Sequence, residues 1–103
     1  MTPDKAVNHA MNCLREVTPG LTITTERTNH GHRSASQWFT LGPIPDCHTH
    51  ATETSPGEIR LTVEIGLVIS IQVSLTLEEE RDTAILRDAL SFYATHYGIG
   101  GHQ

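Results

Sequence analysis

The feature that most constrains this chain is a run of alternating apolar residues in its second half. From position 59 to position 77 every odd-numbered residue is Ile, Leu or Val, and nearly every even-numbered residue is polar. A period of two is typical of β-structure with one buried face. The run is longer than an ordinary strand of about 3–10 residues, so it is either a hairpin or one long strand bent at Gly66.

The parity of the apolar positions favours the hairpin and selects the length of its loop. A two-residue turn at 66–67 would set Val63 opposite Ser70 and would mix the two faces. A three-residue loop at 66–68 sets Val63 opposite Ile71, so that the apolar faces of both strands coincide. The predicted strands are residues 58–65 and 68–76.

Two further strands are predicted near the N-terminus, because residues 21–28 and 35–41 also alternate and are rich in Thr and aliphatic or aromatic residues. Residues 29–32, Asn-His-Gly-His, are suited to a turn between them. We expect a hairpin whose apolar faces coincide. The predicted pairs are Leu21 with Leu41, Ile23 with Phe39 and Thr25 with Gln37.

Amphipathic helices are predicted at both ends, over residues 3–17 and 77–97. Thr2 is a suitable N-cap for the first, Thr76 and Glu79 form a capping box for the second, and Gly98 is a natural stop. The remaining residues, 99–103, are expected to fray. The apolar stripes are Val7, Ala10, Met11, Leu14 and Val17 in the first helix and Ile85, Leu86, Ala89, Leu90, Phe92, Tyr93 and Tyr97 in the second.

Residues 42–57 are interpreted as a long loop. The segment GPIPDCHTHATETSPG contains three prolines and two glycines and shows no apolar periodicity. Connections of this length are often functional or mobile.

Together these elements predict a single α+β domain over residues 1–103, in the order α-β-β-β-β-α. Four antiparallel strands would carry both helices on the face of the odd-numbered apolar residues. The expected core comprises Ile59, Leu61, Val63, Ile69, Ile71 and Val73, packed against Leu14, Ile85, Ala89 and Phe92.

Composition excludes several classes of function. The 103 residues carry a net charge of -5, and the basic residues are scattered, so we expect no nucleic-acid binding. The longest uncharged stretch, 65–77, is too short to cross a membrane. Two cysteines do not make a disulfide scaffold, and the first residues lack the apolar run of a signal peptide. We therefore expect a cytoplasmic protein with free thiols.

Seven histidines are many for this length, and two groups have metal-like spacing. If the loop assignment holds, the two groups lie at opposite ends of the second strand, about 23 Å apart at ~3.3 Å per residue. Because neither group reaches four ligands, we predict no cofactor, with zinc as the alternative. A regulator that responds to metal or pH through these residues is the second functional hypothesis. The candidate ligands are His30, His32, Cys47, His48 and His50.

No motif specifies a reaction. Cys47 and His48 are adjacent, so they point apart in an extended chain and do not form a nucleophile and its base. The glutamates at 78–80 are explained by helix capping. We predict no catalytic residues and no enzyme activity, with a small enzyme that uses loop 42–57 as a lid as a weaker alternative.

Two anomalies indicate protein binding. Trp38, the only tryptophan, is assigned by alternation to the outer sheet face, unless loop 42–57 covers it or a bulge turns it inward. The stretch 65–77 is uncharged, and a strand of this kind at a sheet edge invites pairing with another chain. The sequence therefore predicts a homodimeric adaptor, chaperone or inhibitor of another protein. The predicted partner-binding residues are Trp38, Thr40, Ser70, Gln72 and Ser74.

Overall fold

The computed structural model describes residues 2–66, 69–75 and 79–96. The predicted cap at Thr76, the helix end at Tyr97 and the tail 99–103 lie outside the described residues. The described elements are helix α1 (Pro3–Val17), strands β1 (Ile23–His30), β2 (Ser34–Leu41), β3 (Ile44–Ser55), β4 (Glu58–Ile65) and β5 (Ile69–Leu75), and helix α2 (Glu79–His96).

The strands form one antiparallel sheet in the order β1-β2-β3-β4-β5. The α+β class is confirmed, but the prediction of four strands is wrong. The segment 42–57, predicted as a loop, contains the twelve-residue strand β3, which lies in the middle of the sheet. That segment is therefore not a lid.

Two tight turns at the ends of the central strand accommodate both glycines and two of the three prolines of this segment. Gly42 and Pro43 join β2 to β3, and Gly42 has φ 57°, which suits the first central position of a two-residue hairpin turn. Pro56 and Gly57 join β3 to β4, and Gly57 has φ 82°. Proline followed by glycine with positive φ is typical of a type II turn.

The buried face of β3 carries small side chains, which is why hydrophobic periodicity missed the strand. Cys47, Thr49 and Ala51 are each 0% exposed. Helix α1 packs directly on β3, and the hydroxyl of Thr49 lies 3.7 Å from Sδ of Met11. The segment does alternate with a period of two, but its buried side chains are those of Cys, Thr and Ala, which are only weakly apolar.

The β4–β5 hairpin confirms the parity argument. Val63 pairs with Ile71, Leu61 with Val73 and Ile65 with Ile69, as the three-residue loop requires. The other interpretation, one long strand bent at Gly66, is wrong because β4 and β5 are antiparallel neighbours.

The predicted register of the first hairpin is wrong by two residues. Leu41 pairs with Ile23 rather than Leu21, and Phe39 pairs with Thr25. The turn lies at residues 31–33 rather than 29–32. It is closed by a hydrogen bond of 2.8 Å that the amide of Gly31 donates to the carbonyl oxygen of Ser34. A bulge between Thr25 and Arg27 inserts an extra residue into β1, which alternation alone did not reveal.

The core lies between the helices and one face of the sheet. Leu14, Ile59, Leu61, Val63, Ile69 and Ile71 are buried as predicted, while Val73 and Ala89 are half-buried. The prediction is wrong for Ile85 and Phe92, which are 41% and 63% exposed. Helix α2 instead buries Leu86, Leu90 and Ala94, so its apolar surface is broader than the part that meets the core.

Candidate functional site on the open sheet face

The sheet face opposite the core is the candidate site. We call it the open face, and it is defined by the side chains of Trp38, His48, His50, Thr62 and Gln72. Both helices, over the residues that the structure describes, pack against the opposite face. Alternation along each strand places these polar and ring side chains together.

A row of four side chains crosses the open face, one from each of four neighbouring strands. The backbone register aligns Arg27, Trp38, His48 and Glu64. We call these four residues the ring row. Because the row runs perpendicular to the strands, each of its members comes from a different strand, and none are neighbours in the sequence.

Close ring contacts hold the row together. The guanidinium of Arg27 lies 4.1 Å from the centroid of the Trp38 ring, a cation–π geometry. The rings of Trp38 and His48 are 4.4 Å apart between centroids and tilted by 30°. Nδ1 of His48 lies 3.4 Å from a carboxylate oxygen of Glu64. Across the sheet, the row thus consists of a cation, two rings in tilted contact and an anion.

The bulge in β1 is what places Arg27 opposite Trp38. Without the extra residue, Glu26 would occupy that position in the register. Glu26 instead accepts a hydrogen bond from the hydroxyl of Thr40. Bulges commonly re-aim side chains at functional sites.

His50 lies between two hydroxyl groups beside the ring row. Its Nδ1 lies 2.7 Å from the hydroxyl of Ser36, and its Nε2 lies 2.7 Å from the hydroxyl of Thr52. Burial, together with the nearby charge of His48, lowers the pKa of His50 below its ordinary value of 6.5, while Glu64 acts in the opposite direction. These surroundings therefore favour the neutral form of His50.

His48 has an unsatisfied nitrogen. Its side chain is 22% exposed, and its Nε2 is buried and has no hydrogen-bond partner among the described residues. A buried polar atom without a partner reduces stability. Folding alone does not account for such an atom beneath the open face, so it is a candidate for a functional role.

The predicted partner-binding residues all lie on the open face but do not form one patch. Trp38 and Thr40 lie on β2, whereas Ser70, Gln72 and Ser74 lie on β5. β3 and β4 separate the two groups, a span of about 14 Å at ~4.8 Å per strand. The ring row fills the space between them, and the sequence argument had not included its Arg27 and Glu64.

The candidate metal ligands are distributed over both faces. His48 and His50 share the open face, with ring centroids 5.8 Å apart, but Cys47 is fully buried on the other face. His30 approaches Asp4 of α1, with Nδ1 2.6 Å from the carboxylate, and His32 lies in the β1–β2 turn.

The predicted 23 Å separation of the two histidine groups is wrong. β3 turns back along β2, so His50 lies beside Ser36 and His30 lies beside the adjacent Ala35. His30 and His50 remain apart because His30 contacts helix α1 on the core side of the sheet, whereas His50 lies on the open face. Within residues 2–66, 69–75 and 79–96, no three His, Cys, Asp or Glu side chains form a group suited to a metal ion.

The two cysteines are buried in the core. Cys13 and Cys47 form no disulfide, and burial is the largest cause that raises the pKa of each thiol. Cys47 and His48 point to opposite faces, in line with the argument against a nucleophile–base pair.

One signal in the sequence could have revealed the ring row. Its members Trp38, His48 and Glu64 have even numbers, as does the neighbouring His50, whereas the buried apolar residues of β2 to β5 have odd numbers. Reading the segment HTHATET as a strand would have placed both histidines on the face of Trp38. Arg27 could not be found in this way, because the bulge reverses parity at that point.

Comparisons with protein-family models, with curated proteins and with solved structures found no match. In the described part of the chain, no helix has the length and apolar character needed to cross a membrane.

Proposed function

We propose that this protein is a non-enzymatic module that binds another protein through the open face, centred on Trp38. The observation that carries this proposal is the ring row, which combines a tryptophan, a histidine and an arginine on the face opposite both helices. Tryptophan and arginine are enriched among the residues that dominate binding energy at protein interfaces.

The unsatisfied nitrogen of His48 supports the same proposal. Natural proteins retain residues that reduce stability chiefly at sites where those residues serve a function. Because Nε2 is buried, a partner would satisfy this atom only if the His48 ring turned toward the partner on binding. The half-buried edges of the Trp38 and His48 rings would be covered at the same time.

We further propose that the chain acts as a cytoplasmic homodimer paired along β5. β5 is an end strand of the sheet, and its open-face residues Ser70, Gln72 and Ser74 are exposed and uncharged. An uncharged edge of this kind favours strand pairing. The two unpaired thiols are in keeping with a reducing compartment.

Site-specific photo-crosslinking tests the partner site. A photoreactive amino acid at Thr40, beside the ring row, is expected to capture a discrete protein in cells of the source organism. The same group at the exposed position Asn8 of α1 serves as the matched control. Capture of the same proteins at both positions would contradict the proposal.

Binding measurements with the purified captured protein complete the test. Trp38→Ala is expected to weaken the affinity at least 10-fold, as truncation of a central aromatic does. Asn8→Ala is expected to leave the affinity unchanged. Equal affinities of the wild type and Trp38→Ala, in calorimetry with folded proteins, would exclude the ring row as the binding site.

A second candidate function, a pH-responsive regulator, is favoured by the contact of His48 with Trp38. Protonation of His50, whose ring centroid lies 5.8 Å from that of His48, would place a positive charge next to this contact. Partner affinity that changes between pH 7.5 and pH 5.5 in the wild type, but not in His48→Gln with His50→Gln, would support this function.

A further inference from the structure

We propose that His48 and His50 together bind a divalent transition-metal ion on the open face, and that Glu64 acts as a positioning residue for the ring of His48. The two imidazoles are the protein ligands, and water molecules fill the other coordination positions. This inference goes beyond partner binding and does not depend on it, because it concerns the purified chain alone.

The spacing of the two rings suits a shared ion. His48 and His50 are two residues apart on β3, so both project from the same face. Their ring centroids lie 5.8 Å apart. An ion ~2.0–2.1 Å from one nitrogen of each ring, at an angle between a right angle and the tetrahedral angle, sets the centroids about 4.5–5.2 Å apart. The rings are therefore within about 1 Å of that distance.

The hydrogen-bonding state of His48 is that of a metal ligand. A histidine that binds a metal ion through one nitrogen typically donates its other N–H to a carboxylate or carbonyl group, which fixes the tautomer. Nδ1 of His48 lies 3.4 Å from a carboxylate oxygen of Glu64. A proton on Nδ1 leaves the lone pair on Nε2, the atom that has no hydrogen-bond partner among the described residues.

Binding requires the His48 ring to turn toward the surface, because Nε2 is buried. The side chain is 22% exposed, so part of the ring already reaches the open face. Its centroid lies 4.4 Å from that of Trp38. A turn of the His48 ring therefore alters the surroundings of the only tryptophan in the chain.

His50 supplies the second lone pair. Its two ring nitrogens each lie 2.7 Å from a hydroxyl group, that of Ser36 or that of Thr52. A neutral imidazole has one donor and one acceptor nitrogen, so one of these nitrogens accepts a hydrogen bond and is able to bind a metal ion instead. Burial lowers the pKa of His50, which favours the neutral form that metal binding requires.

The charges around the site favour a cation. The carboxylate of Glu64 contacts His48 directly. The two guanidinium groups of this face are further away: Arg27 lies beyond Trp38 in the ring row, and Arg60 is on β4, opposite Thr52. The net charge of the chain is -5, so its long-range field also attracts cations.

The number of protein ligands defines the kind of site. Imidazole ligands suit Zn²⁺, Ni²⁺ and Cu²⁺, and Cu²⁺ binds most tightly among them. Structural zinc sites have four protein ligands and catalytic sites usually three, and no group of three such side chains occurs in the described part of the chain. We therefore infer an exchangeable ion rather than a permanently bound cofactor.

Calorimetry with Zn²⁺ and the full, untagged chain tests the two ligands. The wild type is expected to bind one ion per chain. His48→Gln and His50→Gln are each expected to raise the dissociation constant at least 10-fold, because each removes one of the two protein ligands. The matched control is the double variant His30→Gln with His32→Gln, which removes the other pair with this spacing and should leave the constant within 2-fold.

A second pair of variants tests the positioning role of Glu64. Glu64→Gln is expected to raise the dissociation constant about 10-fold, the lower end of the effect of losing such an outer contact. Glu58→Gln is the matched control. It removes the same charge from the same strand, but the carboxylate of Glu58 accepts a hydrogen bond of 2.7 Å from Thr54. This variant should leave the constant within 2-fold.

Tryptophan fluorescence locates the ion. Bound Cu²⁺ quenches a nearby indole, so Cu²⁺ is expected to quench Trp38 saturably in the wild type and much less in His48→Gln. Cys13 and Cys47 are 3% and 0% exposed, so they do not compete for the ion in the folded chain. Circular dichroism of each variant establishes that it is folded.

The outcomes separate this inference from partner binding. A wild type that binds no Zn²⁺, or binds it equally well in His48→Gln and His50→Gln, would overturn the site and show an adventitious ion only. Equal dissociation constants of Glu64→Gln and Glu58→Gln would overturn the role of Glu64. Each of these results leaves binding through Trp38 intact, because photo-crosslinking at Thr40 tests that proposal separately.

Discussion

At the scale of single residues, His50 links the open face to pH. Its ring is held between Ser36 and Thr52, and burial lowers its pKa. Because the folded state favours the neutral ring, the stabilisation is complete above the unfolded pKa of about 6.5. It is lost as the pH falls through the folded pKa.

We therefore expect the free energy of unfolding of the wild type to fall more between pH 7 and pH 5 than that of His50→Gln. Glutamine keeps hydrogen-bonding groups at this position but does not titrate. Urea denaturation at several pH values measures the difference. Parallel pH dependences in the two proteins would show that His50 is not the group responsible.

His48 is the residue at which stability and function are expected to conflict. His48→Phe keeps a ring against Trp38 and removes the buried Nε2, so we expect the free energy of unfolding to rise by up to about 1 kcal/mol. His48→Ala, which loses the ring contact, is expected to lower it.

Thermal and urea denaturation at pH 7 would measure both changes. A phenylalanine variant less stable than the wild type would mean that the contact with Glu64 outweighs the unsatisfied nitrogen. Reduced partner affinity of His48→Phe, together with increased stability, is the combination expected of a functional site.

At the scale of elements, β3 depends on its two tight turns. Gly57 has φ 82°, a conformation that costs an L-residue roughly 1–2 kcal/mol. Gly57→Ala is therefore expected to lower the free energy of unfolding by about that amount. Gly20→Ala, at an exposed position outside the left-handed region, is the matched control.

Urea denaturation of the two variants measures the contrast. Gly20→Ala is expected to be neutral or slightly stabilising, because alanine restricts the unfolded chain. Equal stabilities of both alanine variants and the wild type would contradict the assignment of a strained turn at Gly57.

The same scale shows where periodicity succeeds and where it fails. β4 and β5 were predicted with the correct register because their buried residues are Ile, Leu and Val, whose alternation is unmistakable. β3 was missed because α1 lies over it and small residues fill the space. Its strand character is visible only once the neighbouring helix is known.

At the scale of the whole molecule, the two layers share one core. Cys13 on α1 and Cys47 on β3 belong to the same buried cluster. We expect a thiol reagent to label each cysteine at the rate of global unfolding, because one shared core favours cooperative opening of both layers. The single-cysteine variants Cys47→Ala and Cys13→Ala allow each rate to be measured.

Labelling rates that agree with each other, and with the unfolding rate extrapolated to water, would support one cooperative unit. Labelling of Cys13 at least 10-fold faster than that of Cys47 would show instead that α1 detaches from the sheet on its own.

The sequence by itself determined the α+β class, the position of α1, the β4–β5 hairpin and most of the core, because these depend on local capping and on strong apolar periodicity. Tertiary structure alone decided that residues 44–55 form a central strand and that the β1 bulge sets Arg27 against Trp38. It also decided that α2 exposes Ile85 and Phe92. The physical reason is common to all three. Each depends on how close two elements approach, and packing between elements distant in sequence sets that distance.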